Sequence, residues 1–407
     1  MCPEYPKHID DYQYICYSPL CRASTDNDFP DSFLTDPMKV GHHVSLIDRL
    51  LPVWIILAMA AGLLLSHTGL ADVLGATEIA GVSLPVAVGL LVMMYPPLAK
   101  VRYDTAGRIT ADRRLMAVSL TLNWILGPAL MFALAWLFLP DQPELRTGLI
   151  IVGLARCIAM VLIWSELACG DRETTAVLVA VNSVFQVLMF GVLGWFYLQI
   201  LPSWLGLSTT SAEFSFLAIA GSVLVFLGIP LVAGAASRLL GERLRGHRWY
   251  EEVFLPRVSP LALIGLLYTI VILFTLQGHQ VTDDPWSVAR VALPLVVYFA
   301  VMPALALTLS RAVGLGYARS TSVAFTAAGN NFELAIAVAV GTFGADSGQA
   351  LAGTVGPLIE VPVLVGLVYV IRRLGPLLFP GDSTLPPGTA SSSDPVPSPT
   401  NTEHTIP

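Results

Sequence analysis

Residues 153–160 read GLARCIAM and lie in the middle of a long apolar run. A charged side chain at the centre of a bilayer costs roughly 2.5–3.5 kcal/mol, even on lenient insertion scales. The charge of Arg156, next to Cys157, must therefore be compensated by buried partners. An ionisable side chain at this depth indicates a functional site, and we expect one in this span.

The composition of the chain is that of a protein that crosses a membrane several times. Of its 407 residues, 55% are hydrophobic and 13% are charged, whereas soluble domains average about 25% charged residues. The formal charge of −7 arises in the terminal segments, because 1–44 hold seven acidic and three basic side chains and 374–407 hold three acidic side chains and none that are basic. No basic surface for nucleic acid remains, which excludes that class.

Ten apolar segments approach the roughly 20 residues that a membrane-spanning helix needs. The predicted spans are 49–66, 84–99, 114–139, 148–168, 174–200, 214–237, 258–277, 288–310, 319–341 and 350–371. Lys and Arg are concentrated in alternate loops, such as 100–114 and 238–257, which places both termini in the cytoplasm by the positive-inside rule. We therefore expect a ten-helix transport domain at 45–373 in the plasma membrane, between disordered cytoplasmic tails at 1–44 and 374–407.

The two halves of this domain, about 45–201 and about 213–373, show a common pattern. Spans 4 and 5 align with spans 9 and 10 at a constant offset, although few of the aligned residues are identical. Under this repeat alignment Asn182, Ser183 and Gln186 correspond to Gly356, Pro357 and Glu360. Five spans per repeat is an odd number, so the second copy enters from the opposite side. We predict an all-α fold with a 5+5 inverted repeat and discontinuous helices 4 and 9.

The repeat alignment pairs Arg156-Cys157 with Asn330-Asn331. Glycine and asparagine favour local turns over a helix interior, so Gly329-Asn330-Asn331 predict a break in span 9, with Glu333 near the start of the second half-helix. Unwound backbone at this depth is tolerated where it lines a cavity or is buried in protein. The alternative is that the two asparagines only cross-link helices.

Arg156 has two candidate partners, the carboxyl groups of Glu333 and Glu360. One guanidinium cannot neutralise both, so one carboxyl group either rests protonated or exchanges its proton during function, as a proton-coupled site requires. The alternative is a permanent structural bridge between Arg156 and Glu360, which lies between Pro357 and Pro362 and suits a kink-stabilising role as well.

Cys157 is either a small buried hydrophobe or a ligand. A neighbouring cation favours the thiolate, and thiolates bind soft metals and metalloids; a single sulfur would bind such a solute reversibly. Trp164, eight residues after Arg156, is predicted on roughly the same helix face, as a cavity wall or as packing. Asn123 is predicted to hydrogen-bond to another helix, to contact the solute, or both. We expect no resident metal and no cofactor.

These residues lie in segments that resemble the arsenite efflux carriers (the arsenical-resistance family) of the bile acid/sodium symporter superfamily. The resemblance extends from about Ser45 to Arg373 and rests on SLIDRLLPVWIILAMAAGLLL, MMYPPLAKVRYD, LNWILGPALMF, GLARCIAMVLIWSELACGD, VNSVFQ, AGNNFELAIAVAVGTFG and VGPLIEVPVL. It implies proton-driven export of trivalent arsenite, often with antimonite. It also implies that Cys157 and Glu333 are the essential residues of spans 4 and 9, and that Asn123, Arg156, Trp164 and Glu360 occupy positions that matter in the family.

Two other functions fit parts of the pattern. Sodium-coupled uptake of an organic anion, as in other branches of the superfamily, predicts paired polar sites for two ions, and the Arg-Cys pair argues against it. An intramembrane enzyme with Cys157 as nucleophile would need a base within reach, yet no histidine lies inside a predicted span: His67 and His279 are in loops.

Overall fold

The computed structural model describes residues 50–75, 78–79, 82–101, 107, 109–207, 216–344, 347–382 and 384–385. The predicted N-terminal tail, 1–44, lies outside these residues, as does the segment 386–407. The predicted boundary at residue 373 falls inside a helix that continues to Leu378, because the apolar sequence resumes after Arg372 and Arg373. Residues 374–378 therefore belong to the helix rather than to a disordered tail.

Helices make up most of the described residues, and we number each uninterrupted helical stretch once. They are α1 Leu51–Ser66, α2 Leu70–Gly75, α3 Leu84–Ala99, α4 Arg113–Phe138, α5 Pro143–Leu154, α6 Met160–Leu167, α7 Arg172–Trp204, α8 (Phe216–Val223, Leu224–Gly228 and Ile229–Arg245), α9 (His247–Trp249, Tyr250–Phe254 and Leu255–Asp283), α10 Pro285–Ala312, α11 Tyr317–Ala328, α12 Phe332–Phe343 and α13 Gly348–Leu378. A short antiparallel pair, β1 Glu78–Ile79 and β2 Val82–Ser83, precedes α3.

Six of the described helices are long and apolar enough to cross a membrane by length and composition: α4, α7, α8, α9, α10 and α13. Two further predicted spans coincide with helices of 16 residues, α1 and α3. The remaining two coincide with pairs of short helices, α5 with α6 and α11 with α12, each pair separated by a few non-helical residues. The described chain is therefore a helical protein with several membrane-spanning segments.

Four of these helices contain a five-residue π-helical turn, and a proline follows each turn closely. The turns are Leu122–Leu126, Phe196–Ile200, Leu224–Gly228 and Tyr250–Phe254, and the prolines are Pro128, Pro202, Pro230 and Pro256. Proline has no N–H to donate, and its ring clashes with the carbonyl four residues earlier. The wider π turn relieves this clash, so the helices continue past the prolines instead of ending.

The helices pack in two groups. In one group α9 lies against α1 and α3; the other contains α4, α5, α6, α7, α10, α11, α12 and α13. Helix α8 joins the two groups, because it lies against α3 of the first and against α7 and α12 of the second. Glycines allow close approach in both groups: Gly265 of α9 meets the backbone of Met93, and Gly148 of α5 meets the backbone of Gln349 in α13. Such small residues are how helices associate without a hydrophobic driving force in lipid. The second group contains both interrupted helices.

Candidate functional site

The two interrupted helices cross at their breaks. The backbone N–H of Cys157 donates a hydrogen bond to the Gly329 carbonyl at 3.2 Å, and that of Asn331 donates one to the Ala155 carbonyl at 3.1 Å. Between these bonds, Arg156 and Asn330 form an antiparallel bridge. Backbone groups buried at membrane depth need partners, and each break supplies them to the other.

Two side chains complete the hydrogen bonding of the crossing. The backbone N–H of Arg156 donates to Oε1 of Gln186, which is on α7. The backbone N–H of Asn330 donates to Oε1 of Glu360, which is on α13, at 3.2 Å. Each side chain belongs to the long helix that follows the respective interrupted pair of helices, and both residues are fully buried.

The Arg156 guanidinium does not pair with a carboxylate. It donates to the Tyr298 hydroxyl at 2.8 Å, to the Ala327 carbonyl at 3.4 Å and to the Gly153 carbonyl. Within the described part of the chain it forms no ion pair. The expected bridge from Arg156 to Glu333 or Glu360 is therefore wrong for this structure.

Helix ends take the place of the missing carboxylate. Gly153 is in the last turn of α5 and Ala327 is in the last turn of α11, so both carbonyls carry the partial negative charge of a helix C-terminus. A cation at such an end is stabilised by about 0.3–2 kcal/mol. Two ends and a phenol hydroxyl thus explain how Arg156 is buried completely.

Cys157 lies within the same break, three residues before α6 begins. The residue is 5% exposed. A Cβ at Gly329 would lie 2.9 Å from the Cys157 Cβ. The glycine therefore allows the second break to pass directly beside the thiol.

Glu333 is in the first turn of α12, where a negative charge is favoured by the helix N-terminus. Asn331 caps this helix, because its Oδ1 accepts from the Leu334 backbone N–H at 3.0 Å. Glu333 and Glu360 are buried within electrostatic range of each other and of Cys157. The crossing thus brings one thiol and two carboxyl groups together.

Asn123 forms no hydrogen bond to another helix among the described residues, and Trp164 does not share a helix face with Arg156. Asn123 Nδ2 donates to the Ser119 carbonyl of its own helix at 2.9 Å, and the bond between helices comes from the neighbouring Trp124, whose Nε1 donates to Asn182 Oδ1 at 3.1 Å. Trp164 is buried on α6. Because the helix is broken between Arg156 and Trp164, their spacing of eight residues does not place them on one face.

Several buried polar atoms have no hydrogen-bond partner within the described ranges. Among them are Asn123 Oδ1, Arg156 Nε, Trp164 Nε1, Asn182 Nδ2, Gln186 Nε2, Glu360 Oε2, and both Oδ1 and Nδ2 of Asn330. Unpartnered buried groups are costly and uncommon in folded proteins. Their presence on the interrupted helices and the helices packed against them is what a binding site for a small polar solute requires.

The predicted site residues omitted Gln186, Tyr298 and Asn182. Gln186 and Asn182 were aligned with the second repeat, but their partners are distant in sequence and alignment alone does not reveal them. Tyr298 is in the middle of the apolar run PLVVYFAVM. A phenol at that depth needs a hydrogen-bond partner, and this requirement is the signal by which the sequence could have identified Tyr298 as a site residue.

Comparison with known proteins agrees with the resemblance read from the motifs. The model of the sodium bile acid symporter family matches residues 87–284. The arsenical-resistance protein Acr3 of Corynebacterium glutamicum is 68% identical over 352 residues, covering 86% of this chain and 95% of that protein. Acr3 of Alkaliphilus metalliredigens is 33% identical over 82% of this chain and 94% of its own length, and an uncharacterized transporter of Synechocystis, slr0944, is 32% identical over 85% and 93%.

These relatives are carriers and not enzymes, which removes the intramembrane cysteine enzyme from consideration. The identity to the Corynebacterium protein extends over nearly its whole length, and it includes far more of the chain than the symporter model alone. The chain therefore belongs to the arsenical-resistance proteins of the bile acid/sodium symporter family.

Proposed function

We propose that this protein is a secondary active transporter that exports trivalent arsenite from the cytoplasm in exchange for protons, and thereby confers arsenic resistance. The observation that carries the proposal is the buried thiol of Cys157 at the crossing of two interrupted helices, in a chain whose relatives are named arsenical-resistance proteins. Antimonite presents the same soft, trivalent centre and belongs to the same substrate class.

Cys157 is the proposed cargo ligand. Its thiol displaces one hydroxyl of arsenous acid, so that an As–S bond forms and the thiol proton leaves with the hydroxyl as water; addition of water reverses the step. The residue is 5% exposed, so the surrounding helices must separate for arsenite to arrive and leave. This requirement favours alternating access, with Arg156, Asn123 and Trp164 as further residues of the site.

A carboxyl group at the crossing is the proposed carrier of the coupling proton. Glu333 is buried and has no ion-pair partner among the described residues, and it is within electrostatic range of Cys157. Arsenite binding at the sulfur and protonation at Glu333 can therefore influence each other. Glu360 is the second candidate for this role.

The proposed architecture is ten spans arranged as a 5+5 inverted repeat, with both termini in the cytoplasm. Two hydrogen bonds at the crossing support it, because the repeat alignment converts Cys157 N–H to Gly329 O into Asn331 N–H to Ala155 O. A pair of bonds that exchange in this way is what a pseudo-two-fold axis in the membrane plane produces. The basic loops supply the orientation.

Everted membrane vesicles provide the test. Arsenite uptake under an imposed pH gradient, acidic inside, should be strong for the wild type and should be lost in Cys157→Ala and Glu333→Gln. Uptake that follows sodium alone would move the protein to the organic-anion branch of the superfamily. A Glu333→Gln variant that keeps full proton-driven accumulation would remove Glu333 from the mechanism.

A further inference from the structure

Two side chains outside the breaks hold the crossing in the same way. Gln186 accepts a hydrogen bond from the backbone of Arg156, and Glu360 accepts one from the backbone of Asn330. Each uses its Oε1 atom, and each leaves its other terminal atom, Gln186 Nε2 or Glu360 Oε2, without a partner among the described residues.

The repeat alignment relates every member of this arrangement. It converts Arg156 into Asn330 and Gln186 into Glu360, so the two hydrogen bonds are equivalent in the two halves of the chain. One half performs the task with a neutral amide and the other with a carboxyl group. The feature common to both is an acceptor oxygen, and a negative charge is not part of it.

We infer that Gln186 and Glu360 are a matched pair of positioning residues, that Glu360 acts through its acceptor oxygen, and that the coupling proton is carried elsewhere. Gln186 fixes the Ala155–Arg156 peptide, next to Cys157. Glu360 fixes the Gly329–Asn330 peptide, next to Asn331, whose side chain caps the helix of Glu333. The link to transport rests on the proposed function, and it leaves Glu333 as the coupling carboxyl group.

Four single variants test the inference in everted vesicles, with initial rates of arsenite uptake measured against arsenite concentration and pH. Glu360→Gln keeps the acceptor and should retain the maximal rate within about threefold, with an unchanged pH profile. Glu360→Ala and Gln186→Ala remove the acceptor, and each should lower the rate by about tenfold or more. Ser183→Ala is the matched control on α7, because among the described residues the Ser183 hydroxyl bonds only its own helix, at the Val179 carbonyl.

A second readout does not depend on transport. In the purified protein, the alkylation rate of Cys157, followed by mass spectrometry of its peptide, should rise about tenfold in Glu360→Ala and Gln186→Ala, because a looser break exposes the thiol. Glu360→Gln and Ser183→Ala should react at the wild-type rate. If the wild type does not accumulate arsenite, the proposed function fails while this readout still tests the pair.

The inference is overturned if Glu360→Gln loses proton-driven uptake as Glu333→Gln is expected to, since a charge or a titrating proton would then be required at Glu360. It is also overturned if Gln186→Ala transports and is alkylated like the wild type, because the two residues would then not be equivalent.

Discussion

The two breaks have the same backbone and different side chains. In each, a few non-helical residues separate two half-helices. One backbone N–H is bound by the other break, and another by a side chain of the long helix that follows the interrupted pair. The first break carries a guanidinium and a thiol, at Arg156 and Cys157. The second carries two amides, at Asn330 and Asn331, with the carboxyl group of Glu333 just beyond.

Under the proposed function, this difference divides the tasks between the two breaks. Helix C-termini converge on the guanidinium of Arg156, whereas Glu333 lies in the N-terminal turn of α12 and Cys157 lies three residues before α6 begins. The positive charge of Arg156 is thus supported by half-helix dipoles rather than by a carboxylate. In the proposed mechanism the first break binds the solute and the second exchanges the proton.

The largest expected effect on transport is that of removing the sulfur. Cys157→Ser nearly keeps the size of the side chain, yet it cannot form a stable As–S bond. Arsenite transport should fall about 100-fold or more, equivalent to about 2.7 kcal/mol. Uptake in everted vesicles measures this, with protein level as the control. Transport at wild-type rates would assign Cys157 to packing.

Replacement of the polar side chain at the equivalent position of each break, Arg156 in the first and Asn330 in the second, should destabilise the protein to different extents. Arg156→Met leaves three acceptors, including the Gly153 and Ala327 carbonyls, without their charged donor, at a cost of about 3 kcal/mol or more. Asn330→Ala removes polar atoms that have no partner among the described residues and should cost less than about 1 kcal/mol. Thermal unfolding of the purified variants compares them, and equal losses would contradict the assignment of Arg156 to the helix ends.

A smaller effect is expected where the breaks pass each other. Ala155 and Gly329 are equivalent under the repeat alignment. A Cβ added at Gly329 would lie 2.9 Å from the Cβ of Cys157, which leaves no room for a larger residue there. Gly329→Ala should displace the thiol and raise the KM for arsenite about tenfold, equivalent to about 1.4 kcal/mol. Ala155→Gly should change KM less than about twofold. Concentration dependence of uptake separates the two, and an unchanged KM in Gly329→Ala would show that the contact is not tight.

The smallest effect concerns the start of the second interrupted helix. Asp382 Oδ2 accepts from the Tyr317 backbone N–H at 2.7 Å and so caps α11 from a distant part of the chain. Burial raises the pKa of Asp382, but hydrogen bonds from Thr384 and Tyr317 outweigh it, and the pKa is lowered overall. Asp382→Ala should cost about 1 kcal/mol.

The pH dependence of that loss follows from the sign of the shift. A carboxylate with a lowered folded-state pKa stabilises the fold above its unfolded-state value, and the contribution disappears as pH falls through the folded-state value. The difference in thermal stability between wild type and Asp382→Ala should therefore be full near pH 7 and should shrink below about pH 4. A constant difference across this range would mean that the charge contributes nothing.

The sequence predicts the frame of the fold better than the contacts inside it. Each predicted span coincides with a helix or a pair of helices in the described chain, and Gly329-Asn330-Asn331 predict one break because these residues resist helix formation. Arg156, by contrast, was assigned to a carboxylate because pairing is the usual solution for a buried charge. Its actual acceptors are carbonyls at two helix ends, which depend on the crossing and not on residue type.

Side-chain partners across the crossing could not be deduced either. The repeat alignment matches Gln186 with Glu360, but the sequence does not show what either side chain contacts. The structure shows that each accepts a hydrogen bond from the backbone of a break. Likewise, Asn123 looked like the residue that bonds between helices, but its neighbour Trp124 reaches Asn182 instead. A π turn at Leu122–Leu126 changes which residues face that neighbour, and residue spacing does not predict it.

The most direct test of the account is a simultaneous measurement of arsenite and proton fluxes in proteoliposomes of the purified protein, in sodium-free buffer with equal pH on both sides. An inward arsenite gradient should drive protons out and make the lumen alkaline, and the Cys157→Ser and Glu333→Gln variants should not do so. Arsenite influx without any proton movement, or influx that requires sodium, would contradict the exchange mechanism proposed for the crossing.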